Sequence, residues 1–300
     1  MTADLDIVIP CFNYADRVGR AVQSALACAD VRQVIVVNDG STDDSAVVLD
    51  ALTSEVGGRL AVIHQANAGP SAARNKGILA ARATYLMLLD ADDELVPDGV
   101  SEALDVLKRQ PQFDLVLTSA QALHDGQAPR LRPAPEGLTG DLFHRFLDGQ
   151  VPVSHGRFIV RRTLMQRVPY PESIRGQEDL PVYALLLALG QVTSCAAVTV
   201  RIHHHAGSLR RNTANMIANE DAVVTAIFDH PELPQAAQRW RRPFHARRVF
   251  SIFRALAKRG DPRAGTFFWH GFRLAPFSRR WWKQLPRYLR WRLRPPAREA

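Results

Sequence analysis

Asp90, Asp92 and Asp93 place three carboxylates within four residues, directly after the apolar run Tyr85-Leu86-Met87-Leu88-Leu89. An apolar run of this length, closed by polar residues, reads as a buried strand of a parallel sheet. Open parallel α/β sheets bind ligands beyond the carboxyl ends of their strands. Acids clustered there suit a hard divalent cation, and magnesium commonly arrives with a substrate phosphate. A further acid, Asp39, lies in Val37-Asn38-Asp39-Gly40-Ser41. At a strand end it can accept a hydrogen bond from a nucleobase N–H, or it can simply form the turn. Two later groups could also do chemistry: the adjacent acids Glu178 and Asp179, and the run His203-His204-His205.

The elements that must position these groups alternate. Short apolar runs predict strands at 6–9, 33–37, 60–64, 85–89 and 114–117, with later strands at 158–160 and 191–202. One-sided apolar spacing predicts a helix over 15–29, with Val18, Ala21, Val22, Ala25 and Leu26 on one face. Ser41 is positioned to cap a helix running to about residue 52, and Pro70 opens one ending near 83. Further helices are expected at 100–110 and 179–189. The Pro-, Gly- and Arg-rich stretch 125–140 reads as a mobile surface loop, and beyond Ser208 the pattern is helical. Alternating strands and helices imply an α/β fold whose mostly parallel central sheet is covered on both faces. The division expected is a domain at 1–209 followed by a helical, basic, aromatic-rich extension at 210–300.

Composition narrows the class. At 46% hydrophobic and 23% charged the chain is globular, and no apolar segment reaches the roughly 18 residues that span a bilayer. A leader for export is not expected. Three widely spaced cysteines, Cys11, Cys28 and Cys195, argue for a reducing cytoplasm over a disulfide framework. The net charge of +8 conceals a division: eighteen lysines and arginines but one acid, Asp261, lie between Arg239 and Arg298, with all five tryptophans. The glycine-rich loops G-x-x-x-x-G-K-[ST] and G-x-G-x-x-G are both missing.

Four motifs occur in order: Cys11-Phe12-Asn13-Tyr14, Val37-Asn38-Asp39-Gly40-Ser41-Thr42-Asp43, Asn67 to Gly77 with Arg74-Asn75-Lys76 inside it, and Leu89-Asp90-Ala91-Asp92-Asp93. Together they resemble the nucleotide-binding half of the bacterial-type family 2 glycosyltransferases. The resemblance implies a GT-A fold, a nucleotide-sugar donor, a divalent cation (Mg2+ or Mn2+) and inversion at the anomeric carbon. Carried over, it places Pro10 and Asp39 at the base and ribose. Asn13, Arg74, Asn75 and Ala91 fall along the donor site, with Asp90 at the sugar or ribose and Asp92 nearest the metal. Asp93 either supports the metal through water or caps the next helix.

Arg175-Gly176-Gln177-Glu178-Asp179 resembles the family's Glu-Asp pair, one member of which deprotonates the acceptor. Inverting displacement needs one base opposite the leaving group, and Asp179 is favoured over Glu178. Arg201 to Leu209 resembles the family's Arg-x-His and His-x-Gly-Ser with two extra residues between. Alternation along a strand would turn His203 and His205 to one face, toward the diphosphate or metal, unless the run is simply solvated.

The basic aromatic tail mixes the residues that interfacial helices use on anionic membranes, the alternative being a solvated or oligomer-forming tail. No nucleic-acid-binding signature accompanies it. The expectation is a cytoplasmic transferase, peripheral on the inner face of the cell membrane, working on a carbohydrate or lipid-linked glycan acceptor with a UDP-sugar as the favoured donor. The alternatives are a sugar-phosphate nucleotidyltransferase and a non-catalytic nucleotide-binding protein of the same fold.

Overall fold

Seven elements lay down the first half of the sheet in the computed structural model, which describes residues 3–124, 126–204 and 213–293. They are β1 (Leu5–Cys11), α1 (Val18–Leu26), β2 (Val31–Asp39), α2 (Ser45–Val56), β3 (Leu60–Gln65), α3 (Pro70–Ala80) and β4 (Tyr85–Leu88). Their strands pair in parallel in the order β3-β2-β1-β4. Residues Ile7, Val8, Ile9, Val34, Ile35 and Val36 are all 0–1% exposed, although neighbours point to opposite faces. That is the burial of a sheet covered on both sides, and each such side chain contributes about 1.5–3 kcal/mol. Val18, Ala21, Val22 and Ala25 form the buried face of α1. Gly77 lets α3 lie close on the sheet, because a Cβ there would collide with the Val8 side chain.

The chain continues through β5 (Glu94–Leu95), α4 (Pro97–Arg109), β6 (Leu115–His124), β7 (Arg130–Arg132), α5 (Leu142–Leu147), β8 (Phe158–Arg161), α6 (Arg162–Arg167), α7 (Asp179–Leu189) and β9 (Val192–His204). β8 inserts antiparallel between β4 and β6, β9 runs parallel to β6, and β5 pairs antiparallel with β9. Among the described residues the sheet has nine strands in the order β3-β2-β1-β4-β8-β6-β9-β5, with β7 on β6.

Three local expectations are corrected. The stretch 125–140 is not all loop, because β7 pairs antiparallel with the end of β6. Ser41 does not cap α2, which starts four residues later at Ser45. The Ser41 hydroxyl accepts the Asn13 N–H at 3.0 Å instead, and Asp43 receives the Ser45 N–H at 3.0 Å. Asp93 does not cap a helix either: its carboxylate accepts the His203 backbone N–H at 2.9 Å, and α4 begins at Pro97.

The chain forms two compact units. The first comprises Met1–Glu172 and Val182–Ser208; the second comprises Ser173–Pro181 and Leu209–Ala300. The second unit carries α8 (Thr213–Ala218), α9 (Glu220–Phe228), α10 (Arg241–Arg259), α11 (Ala264–Leu274) and α12 (Arg279–Arg292). Its core joins Phe250, Phe253, Leu256, Phe268 and Trp281, with Tyr288 stacked 4.0 Å from Phe268. The tail aromatics therefore divide. Trp281 is buried and Trp291 packs on this core, whereas Trp269 and Trp282 are 44% and 54% exposed. Among the described residues no helix is long and apolar enough to cross a membrane.

Candidate active site

The strand order creates the place for a ligand. β1 leads to β2 and β3 on one side, and the chain then returns to place β4 on the other. A parallel sheet opens a crevice at such a reversal, beyond the strand carboxyl ends. β1 ends at Cys11, β2 at Asp39, and β4 at Leu88, two residues before Asp90. Pro10, Asn13, Asp39, Asp90, Ala91 and Asp92 thus come from one edge of the sheet.

The loops on this edge are stitched together. Asn13 takes a left-handed conformation (φ 59°), which a short polar side chain tolerates. Its side-chain oxygen accepts the Thr42 N–H at 2.8 Å, while the Tyr14 and Ala15 N–H groups donate to Ser45 and Asp43. Asp39, 2% exposed, accepts from Gln65 Nε2 at 2.7 Å, from the Ala68 N–H at 2.8 Å and from the Gly69 N–H at 2.8 Å. Three of a carboxylate's roughly four acceptor positions are thereby used to shape the loop entering α3.

Asp90 is held by two cationic or polar partners. Arg74 on α3 donates to its Oδ1 at 3.1 Å, and His155 Nδ1 lies 3.1 Å from the same oxygen. Desolvation would raise the Asp90 pKa, but His155 and Arg74 outweigh it and hold the carboxyl well below the usual range. An ionised Asp90 places the imidazole proton on Nδ1. In the neutral ring, Nε2 then accepts from the Tyr170 hydroxyl, 2.9 Å away. The Arg74 guanidinium also sits over the Tyr170 ring, 5.3 Å from its centroid. Tyr170, His155 and Arg74 are each at least 93% buried and form one scaffold behind Asp90.

Asn75 contributes to the same scaffold. Its amide donates to the Tyr170 carbonyl at 2.9 Å and to Glu172 at 3.0 Å, and accepts the Tyr170 N–H at 2.8 Å. Its polar atoms thus fix the 170–172 segment, which sequence spacing did not indicate. Reading the sequence also missed His155 and Tyr170. His155 precedes Gly156, whose positive φ of 70° and close approach to Val200 mark a constrained turn, and neither is visible in the sequence.

The acids after β4 create a negative field. Burial, then Asp92, Asp90 and Asp93, push the Tyr14 hydroxyl up to about 12 against the opposing Arg17. Asp92 is half-buried, and its carbonyl accepts from Arg20 at 2.9 Å. His203 Nε2 lies 3.1 Å from Glu94 Oε1, beside Arg20 at 2.9 Å from the same carboxylate oxygen. His205 lies outside the described residues. Cys11 is buried, which pushes its thiol up to about 11 and leaves it no role as a nucleophile.

Glu178 and Asp179 belong to the second unit, at the start of α7; Glu178 is buried and Asp179 half-buried. Arg248, 8% exposed, holds their segment by donating to Gln177 at 2.9 Å. The Asn219 amide donates to the Arg175 carbonyl at 2.7 Å.

A family model described as glycosyl transferase family 2 matches residues 6–167, which contain every part of the Asp90 scaffold except Tyr170 and Glu172. The chain belongs to glycosyl transferase family 2. It is 33% identical to the succinoglycan biosynthesis protein ExoU of Rhizobium meliloti over 74% of this chain and 70% of that protein. ExoO of the same organism is 30% identical over 83% of this chain and 76% of its own length. The chain spans only 34% of Escherichia coli YibD and 54% of Bacillus subtilis EpsJ, both named as uncharacterized glycosyltransferases. Among solved structures, S. aureus TarS in complex with UDP-GlcNAc shares the fold. Its TM-score is 0.64 at 16% identity, covering 97% of this chain and 79% of that one. The fold is thus the GT-A type, a mixed α/β sheet followed by a helical C-terminal region. The matched residues end before Glu178 and Asp179.

Proposed function

We propose that this glycosyltransferase takes its sugar from a uridine diphosphate donor and transfers it, with inversion, to a hydroxyl of a cell-surface or lipid-linked glycan. The observation that carries this reading is the Asp90 carboxylate, fixed by Arg74 and His155 at the sheet's switch point. A carboxylate so held can accept hydrogen bonds from ribose or sugar hydroxyls without reorganising. Relatives named for succinoglycan biosynthesis and a structural neighbour crystallised with UDP-GlcNAc agree with it.

The residues fit a divalent cation, Mg2+ or Mn2+. Carboxylate oxygen is the donor such ions prefer, and the field that raises the Tyr14 hydroxyl is one a cation would neutralise. Asp92 would hold it, with His203 and His205 as further candidates. When bound, the cation supplies charge neutralisation on the departing diphosphate. Asp179, with Glu178 second, removes the acceptor proton. The test is calorimetric titration of UDP onto the full chain with Mn2+ and with chelator. Affinity should fall at least tenfold on chelation and again in Asp92→Asn; equal affinity throughout overturns the cation assignment.

The second unit supports attachment to an anionic membrane surface. Trp282 and Leu289 are 54% and 50% exposed, and Leu293 just beyond α12 is 82% exposed. At 100° per residue, their positions and Pro286 fall on one stripe. Arg279, Lys283 and Arg290 line one side of it and Arg292 the other, opposite the packed Trp281, Gln284 and Tyr288. Apolar side chains between cations suit the headgroup boundary.

A further inference from the structure

Three helices of the second unit bring one carboxylate and two imidazoles to a single point. Glu220 begins α9, His245 lies in the first half of α10, and His270 lies in α11. Glu220 Oε1 is 3.0 Å from His245 Nε2 and 3.0 Å from His270 Nδ1. The three ligand atoms all lie within 4.8 Å of one another. The rings meet edge to face, with centroids 5.4 Å apart at 80°, so they converge on one oxygen without stacking. Glu220 and His245 side chains are each 12% exposed, and His270 is 35% exposed.

We propose that Glu220, His245 and His270 bind one borderline divalent transition metal, zinc by preference, as a clip across the helical unit. Imidazole nitrogen with carboxylate oxygen is a donor set that zinc takes and that magnesium and calcium do not favour. Bonds of about 2.0–2.1 Å in a tetrahedron separate ligand atoms by about 3.3 Å. The two 3.0 Å separations already approach that spacing. Water, or Asp221 after a side-chain rotation, would complete the set: the Asp221 side chain is 82% exposed and its Oδ1 lies 3.3 Å from His245 Nε2. Arg248 turns its Nε to the Glu220 backbone carbonyl and its Nη2 to Gln177 and the Asn219 carbonyl. These bonds end on carbonyl and amide oxygens, and the Glu220 carboxylate itself is met by the two imidazoles. None of these residues belongs to the Asp90 scaffold.

The experiment uses tag-free full-length protein stripped with chelator and titrated with Zn2+ alone. One site of micromolar or tighter affinity is expected, with a rise in Tm at saturation. His270→Ala and Glu220→Gln should each weaken it at least tenfold and abolish the Tm rise, while Asp92→Asn should leave it unchanged. Co2+ on the unmodified chain gives a reading independent of variant folding. Imidazole-bound, four- or five-coordinate cobalt absorbs strongly in the visible, whereas hexa-aqua or carboxylate-bound cobalt absorbs weakly. Zinc affinity no tighter than millimolar, a weak cobalt spectrum, or zinc binding lost in Asp92→Asn but kept in His270→Ala overturns the proposal. In those cases the three side chains are a hydrogen-bonded clasp only.

Discussion

Removing His155 tests whether Asp90 depends on the scaffold behind it. His155→Ala deletes a hydrogen bond to an ionised carboxylate, about 1.5–3 kcal/mol, and takes a partner from the buried Tyr170 hydroxyl, about 1 kcal/mol or more. With the cavity left by a 7%-exposed ring, the total is about 3–5 kcal/mol. Tyr170→Phe should cost about 1–3 kcal/mol, because a buried imidazole nitrogen loses its donor. The double variant should cost at least about 1 kcal/mol less than the sum, as residues in one network couple. Native-state amide exchange in β1 and β4 measures these values in the sheet itself.

Donor affinity should drop at least tenfold in His155→Ala and only a few-fold in Tyr170→Phe. The pH dependence has a fixed sign. Asp90's folded pKa is depressed, so its contribution is present above the unfolded value of about 4 and is lost as pH falls through the folded pKa. His155→Ala leaves Arg74 as a cationic partner of Asp90, so the acid transition should move up toward pH 4. Additive stability losses, or an unchanged acid transition, would refute the scaffold.

Asp179→Asn should leave donor affinity intact and lower transfer roughly 10²-fold or more, with Glu178→Gln doing less; the reverse pattern in initial rates exchanges their roles. Gly77→Ala gains helix propensity but drives a Cβ into Val8 and to 3.4 Å from Val37 Cγ2. A net loss of about 1–2 kcal/mol and weaker UDP binding are expected as α3 shifts, measured by urea unfolding and calorimetry. Full-length protein should float with anionic liposomes, release only partly in high salt, and lose the salt-resistant part in Trp282→Ser/Leu289→Ser; binding unchanged in that variant removes the α12 stripe from the interface.

The strand-end acids were legible because parallel strands are continuous apolar runs, so the first polar residue after each one marks the sheet edge. Asp39 and Asp90 were found that way. His155 and Tyr170 were not, since they join Asp90 from 65 and 80 positions away in chain segments without periodicity. β5 and β7, two and three residues long, are too short for alternation to register. Ser41 looked like a cap because it precedes a helix, but only tertiary structure shows Asn13 claiming its hydroxyl. The tail's aromatics were misleading as a group. In a helix with rings on several faces, composition does not reveal which ring meets a neighbour, and Trp281 and Trp282 have opposite fates.

The division of tryptophan has an optical consequence. All five indoles lie at or beyond Trp240, within the second unit, and the family-matched half of the chain has none. Intrinsic fluorescence excited at the red edge therefore reports the helical unit alone, and the donor half is dark. An unfolding curve followed by emission will miss every substitution around Asp90 that does not also unfold the helices. The same darkness is useful in a titration: any change in indole emission when nucleotide is added would mean that binding at the sheet edge is felt in the second unit.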